Sequence, residues 1–174
     1  MNHYVFIDEL GTNLGVTRRY GRAAPGTRVL EQVPGERGGT VSTIGALALD
    51  GLRTGLRVPG AIAGDTMLVC VEELLAPTLT RGAMVVMANT PIHQLEDIED
   101  AIAAVGTWVQ FFPTYSPDLN PMENCVSKVK ACLRALKPST LPDLLEALVT
   151  AFASITGHDI LGWFGHCDYR AAPN

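Results

Sequence analysis

The chain has 174 residues, 47% of them hydrophobic and 18% charged, and carries a formal net charge of -5. That is the composition of one folded domain with a real core: it excludes a disordered chain, and the lack of any apolar run of 18 or more residues excludes a membrane-spanning helix and a membrane partner. The opening segment MNHYVFIDEL enters a strand pattern with no signal sequence, so a cytoplasmic location is expected.

Residues 3–10, HYVFIDEL, form an aromatic and β-branched run that predicts a first strand, with Asp8 near its end. An acid there is either an exposed strand-end residue or one that points into a site, and both readings stay open. The stretch TRRYGRAAPGT follows, with Gly21, Pro25 and Gly26 as turn signals, and RVLEQV at 28–33 predicts a second strand. TVSTIGALAL at 40–49 predicts a third, and a turn at Asp50 and Gly51 leads to a strand around Leu56 to Ile62. Consecutive strands on short connections imply an antiparallel meander.

Residues 64–79, GDTMLVCVEELLAPTL, have helical periodicity with Asp65 as a cap candidate. AMVVMA at 83–88 is an apolar strand of the kind buried on both faces. After the loop NTPIH, a helix closed by Gly106 leads to the strand TWVQFF at 107–112. This is a βαβ unit, so the two strands are expected to be parallel, with ligands binding beyond their C-terminal ends.

The stretch from Phe111 to Lys130, FFPTYSPDLNPMENCVSKVK, joins a strand to a helix predicted over Pro121 to Leu136. Pro113, Pro117 and Pro121 stiffen the entry loop. They deliver Glu123 into the first helical turn, where the helix dipole favours a carboxylate. Glu123 is then either a surface cap or a fixed ligand for metal and phosphate chemistry. Val126, Val129, Leu133 and Leu136 make a buried stripe; Glu123, Ser127, Lys130, Arg134 and Lys137 share another face. That second face is either solvated or a rail for phosphates.

Positive charge is segregated. Arg18, Arg19, Arg22, Arg28 and Arg37 crowd the early hairpin region and Lys128, Lys130, Arg134 and Lys137 one helix, whereas Gly82 to Ser127 contains no Lys or Arg. Past Pro138, Thr140 as N-cap, Pro142 and Asp143 open a last packing helix, LPDLLEALVTAFASI, with Leu141, Leu144, Leu148, Phe152 and Ile155 as its apolar positions. The spacing of His158, His166 and Cys167 matches no zinc pattern, and the four cysteines are expected as buried reduced thiols.

A meander followed by βαβ, with one acid on the first strand and another on a late helix, is the layout of a ribonuclease H-like α/β fold, a mixed central sheet flanked by helices. FIDE at 6–9, VVMANTPIH at 85–93 and PTYSPDLNPMEN at 113–124 resemble the signature blocks of DDE transposases, in the bacterial insertion-sequence branch of the mariner superfamily. TRRYGRAAPGT and VSKVKACLRALK also look like that family, so the resemblance spans nearly the whole chain.

The resemblance implies a single catalytic domain over 1–174, without the family's N-terminal helix-turn-helix, that cleaves and rejoins DNA as a homodimer. It implies Mg²⁺ or Mn²⁺, with two ions about 4 Å apart. Asp8 matches the first catalytic carboxylate and Glu123 the third. The second belongs at Ala88, with thirty-four residues between it and Glu123. The second carboxylate is therefore missing and cleavage is expected to be lost or nearly so; Asn89 is no simple substitute, being neutral and on the opposite strand face.

Asn89, His93, Tyr115, Ser116, Asp118 and Asn120 are expected near the active site. Arg18, Arg19, Arg22, Lys128, Lys130, Arg134 and Lys137 are expected as DNA contacts. Thr114 and Val126 stand where the family commonly carries Pro and an aromatic residue, so Ala88 is open to two origins, an introduced substitution or the decay of a relic. Other readings are a non-catalytic DNA-binding or oligomerising relic and a nuclease acting on RNA hybrids.

Overall fold

Five strands form one mixed sheet in the order β3-β2-β1-β4-β5. The structure, a computed structural model, describes residues 4–18, 20–30, 38–90, 93 and 96–169. The strands are β1 (Tyr4–Thr12), β2 (Val41–Ala48), β3 (Gly51–Pro59), β4 (Met84–Met87) and β5 (Trp108–Phe111). β1, β2 and β3 are an antiparallel meander; β4 joins β1 in parallel and β5 joins β4 in parallel, as the βαβ reading requires.

The helices are α1 (Gly64–Val69), α2 (Glu96–Ala104), α3 (Pro121–Leu136), α4 (Leu141–Ala153) and α5 (Gly157–His166). α1 continues into a π-helical turn, Cys70–Leu75, and a tight 3-10 turn, Ala76–Thr78, ahead of the turn at Arg81 and Gly82. No single helix among the described residues is long and apolar enough to cross a membrane.

Strand alternation splits the core in two. Phe6, Leu10, Leu47 and Val86 face α3, α4 and α5, whereas Val5, Ile7, Ile44, Ala46, Val85 and Met87 face α1 and α2. Phe6 anchors the first layer, its ring 4.8 Å from that of Tyr169, 5.3 Å from Phe164 and 6.0 Å from Phe112. Rings at these separations add about 0.5–1.5 kcal/mol per pair beyond the area they bury.

α4 opens on the expected capping box between Thr140 and Asp143. The tail supplies an unforeseen helix, α5, capped by the same device between Thr156 and Asp159. The thiols are free; Cys70, Cys125 and Cys167 are buried as expected, Cys132 only half-buried, and burial pushes Cys125 up to about 12.

Three sequence expectations need correction. The strand at 28–33 is not formed over its described part: Arg28, Val29 and Leu30 are exposed coil, and the remainder lies outside the described residues. A strand at that place in the meander would have to lie between β1 and β2, and these pair directly with each other over Val5–Thr12 and Val41–Ala48. The strand placed at Leu56 to Ile62 begins at Gly51 and ends at Pro59, because the turn closes tightly enough for pairing from Ala48 and Gly51 onward. Leu136 and Leu141 leave the core stripes, 47% and 45% exposed, since they flank the α3–α4 connection where no element covers them; Met122 and Cys125 are buried on α3 instead.

Candidate active site

β1 and β4 bring their C-terminal halves to one edge of the sheet. Parallel pairing ends at Ile7 and Met87, so carrying the register one residue on sets Ala88 beside Asp8. Alternation places both on the face that packs α3, since Phe6 and Val86 lie there. Asn89 falls next along the chain and is exposed.

α3 meets this edge with its first turn. A 3-10 turn, Pro117–Leu119, leads to Asn120, which is buried and does two things at once. Its side-chain oxygen accepts from the Met122 N–H at 3.0 Å, capping α3, and its amide donates to Asp8 Oδ2 at 2.7 Å. The same residue therefore starts the helix and orients the strand carboxylate, and Glu123 follows it within the first turn. Close approach is possible because β2 carries Gly45 opposite Asp8: a Cβ there would lie 3.1 Å from the Met122 methyl.

Asp8 also accepts from the Glu9 N–H at 2.8 Å. Its pKa is raised: burial is the main cause, the Glu9 N–H opposes it, the charge of Glu123 adds to it, and Asn120 and His93 pull the other way. A half-buried carboxylate with another negative charge beside it favours a cation.

His93, expected only from resemblance, is buried at this edge. Its Nδ1 lies 2.9 Å from the Ala88 carbonyl and its Nε2 3.2 Å from Glu9 Oε1. Both ring nitrogens face oxygen acceptors, an arrangement that favours the doubly protonated ring. Burial opposes that charge, but the bonds to Glu9 and Ala88 and the charges of Glu9 and Asp8 outweigh it, and the pKa is raised. Glu9, unremarked in the sequence, thus shares the site; its adjacency to Asp8 was the available signal.

Of the other expected residues, Tyr115 is almost wholly exposed with φ 57°, Ser116 is half-buried and Asp118 exposed on the entry loop. Lys128 is held to Asp159 of α5 at 2.5 Å, and that bond, followed by those from Thr156, holds the Asp159 carboxyl well below the usual carboxylate range. Lys130 is half-buried, Arg134 and Lys137 are exposed, and Arg18 and Arg22 are exposed on the β1–β2 connection; Arg19 lies outside the described residues.

The donor set sets limits on metal binding. Asp8 uses one lone pair on each oxygen for hydrogen bonds and keeps others, and Glu123 supplies a second hard oxygen donor, which fits one Mg²⁺ or Mn²⁺ completed by water and phosphate. No cluster of three or more His, Cys, Asp and Glu suited to a metal exists among the described residues. The methyl of Ala88 offers no ligand atom at this edge.

The model of the DDE superfamily endonucleases matches residues 3–145. The chain belongs to this family. Among solved structures this DDE domain is similar to the Mos1 transposase paired-end complex with left transposon end, at 16% identity and TM-score 0.78, over 96% of this chain and 52% of that one. It is similar to the Mos1 mariner paired end complex with Mn, at 16% identity and TM-score 0.73, over 95% of this chain and 52% of that one. The structure of the Mos1 transposase catalytic domain and Raltegravir with Mg matches at 14% identity and TM-score 0.72, over 95% of this chain and 78% of that one. At these identities the likeness establishes the ribonuclease H-like fold alone, and the chain spans about half the length of the transposase chains in the DNA complexes. No curated protein sequence gives a significant match.

Proposed function

We propose that this chain is the catalytic domain of a DNA transposase of the bacterial insertion-sequence branch of the mariner superfamily. It acts in the cytoplasm on element ends and target DNA, as a homodimer. In its intact form it cleaves and transfers strands with Mg²⁺ or Mn²⁺. As written, Ala88 leaves it inactive or nearly so.

The observation that carries this reading is the meeting of Asp8 and Glu123 at one sheet edge through Asn120, in a domain of the DDE family. Asp8 and Glu123 would hold the ion. Bound there, a divalent cation supplies charge neutralisation at the phosphate under attack. Asn120 fixes the direction of the Asp8 carboxylate, and His93 ties the ends of β1 and β4 together through the Ala88 carbonyl and Glu9. Asn89, Tyr115, Ser116 and Asp118 surround the approach, and Lys130 and Arg134 continue the α3 face toward DNA.

Ala88 itself favours a second reading, a non-catalytic protein that occupies DNA or mixes with active subunits. Substituting Ala88→Asp and measuring metal-dependent nicking of element-end DNA separates the two. A supporting partner of a metal ligand is worth about 10–100-fold in activity, so a direct ligand is worth at least that much. A folded, DNA-bound Ala88→Asp protein that fails to cleave with either metal rejects the catalytic reading.

A further inference from the structure

The two basic patches that the sequence keeps apart meet in one groove. Arg18, Tyr20 and Arg22 on the β1–β2 connection, with Val29 and Leu30 further along it and Lys137 at the end of α3, enclose about 590 Å³. The groove wall rests on Gly21, where a Cβ would lie 2.8 Å from a Val29 methyl, so the two loop segments touch as only glycine allows. Tyr20 is 92% and Leu30 81% exposed. No carboxylate pairs with Arg18 or Arg22 among the described residues. α3 ends on Lys137 in the left-handed conformation, φ 54°, where glycine is the usual residue, and its side chain lines the groove.

From these features we infer that the groove binds an unpaired DNA strand, its phosphates on Arg18, Arg22 and Lys137 and one base stacked on Tyr20 against Val29 and Leu30. The mixture of charge and exposed apolar surface decides the form of DNA. Cations alone would suit a duplex backbone, but a duplex hides its base faces and leaves Tyr20 and Leu30 uncovered; an unpaired strand offers phosphate and π-face together.

Position along α3 fits a strand that continues from the acid edge. Glu123 and Lys137 are fourteen residues apart, about 21 Å at 1.5 Å per residue. A stacked strand covers that distance in about six nucleotides at 3.4 Å each, and a more extended strand in fewer. The inference rests on the transposase reading, in which DNA lies at Asp8 and Glu123, and adds a second station for the strand beside the cut.

The test uses the whole chain in chelator, so that no cleavage is needed. Anisotropy of labelled oligodeoxythymidine of about twelve nucleotides, within the usual range of single-strand site sizes, is compared with that of a duplex of equal length. Tyr20→Ala is expected to weaken the single strand about tenfold and the duplex less than about twofold, and Tyr20→Trp to restore stacking. Arg22→Ala should lower the single-strand salt slope by about 0.7, one phosphate contact. Both residues are exposed, so folding is preserved and is checked by circular dichroism.

Equal losses on both DNA forms, or no loss from Tyr20→Ala, overturn the groove while leaving the transposase reading standing. Absence of binding to any DNA at low salt overturns both. A Tyr20→Ala protein that binds the oligonucleotide normally but changes its sedimentation assigns the groove to a second copy of the chain and overturns the DNA inference.

Discussion

At its N-terminal end α3 is fixed by a buried amide, Asn120, that caps the helix and holds Asp8; at its C-terminal end it stops on a left-handed Lys137 beside side chains left largely in water. The first arrangement spends hydrogen bonds on positioning, with its acid moved from ordinary titration by burial and a neighbouring charge. The second spends backbone strain on keeping a cation at the surface. One helix thus joins a site that needs fixed geometry to one that needs only charge and an aromatic face, which is the difference between placing a reacting phosphate and holding a strand.

The largest break in this contrast should come from Asn120. In an Ala88→Asp background, Asn120→Ala is expected to reduce metal-dependent nicking by about 10–100-fold, because Asp8 loses the donor that aims it. Loss of the cap should cost about 1 kcal/mol as well, read in a urea melt. Arg134→Ala, on an exposed turn of the same helix, should change stability by less than about 0.5 kcal/mol. Equal effects of the two would mean that the N-terminal end is no better built than the other.

Gly45→Val tests the same end through packing. The added side chain must push the Met122 methyl and the first turn of α3 away from β2. A destabilisation of about 1–3 kcal/mol is expected, with weaker metal binding by calorimetry as Glu123 moves off Asp8.

The pH dependence should be dominated by the acid edge as well. His93 has a raised folded pKa, so its stabilisation is complete below the unfolded value and is lost as pH rises through the folded one. Asp8, also raised, acts in the same direction from the carboxylate range upward. Without metal, Tm is therefore expected to fall as pH rises above the ordinary histidine range, with His93→Gln flattening the fall. A Tm that rises with pH there would contradict the raised His93 pKa.

These two ends were not equally legible in the sequence. The prolines, Asn120 and Glu123 sit within a few residues of one another, so local chemistry exposed the ramp, and alternation on β1 put Asp8 on a definite face. Asn120 reaching Asp8 and His93 reaching Glu9 span 112 and 84 residues, contacts that only the folded sheet creates. The groove was hidden by a misreading: RVLEQV has strand composition, but strand formation depends on an available partner, and Val29 and Leu30 became groove wall instead. Leu136 and Leu141 failed similarly, since periodicity says which face is apolar and not where the neighbouring element stops.

The smallest effect is the sharpest for the C-terminal end. A non-glycine residue in the left-handed region costs about 1 kcal/mol, so Lys137→Gly should relieve strain and stabilise the fold by up to that amount, raising Tm by about 2–4 °C for a chain of this size. The same substitution removes a cation from the groove, so the single-strand salt slope should drop by about 0.7 while the duplex changes less. Gain of stability with loss of binding would mean that the left-handed lysine is retained for the strand. Lys137→Gly that stabilises without touching the salt slope would reduce α3's C-terminal end to an ordinary helix stop, and loss of stability would mean that the lysine's own contacts outweigh its strain.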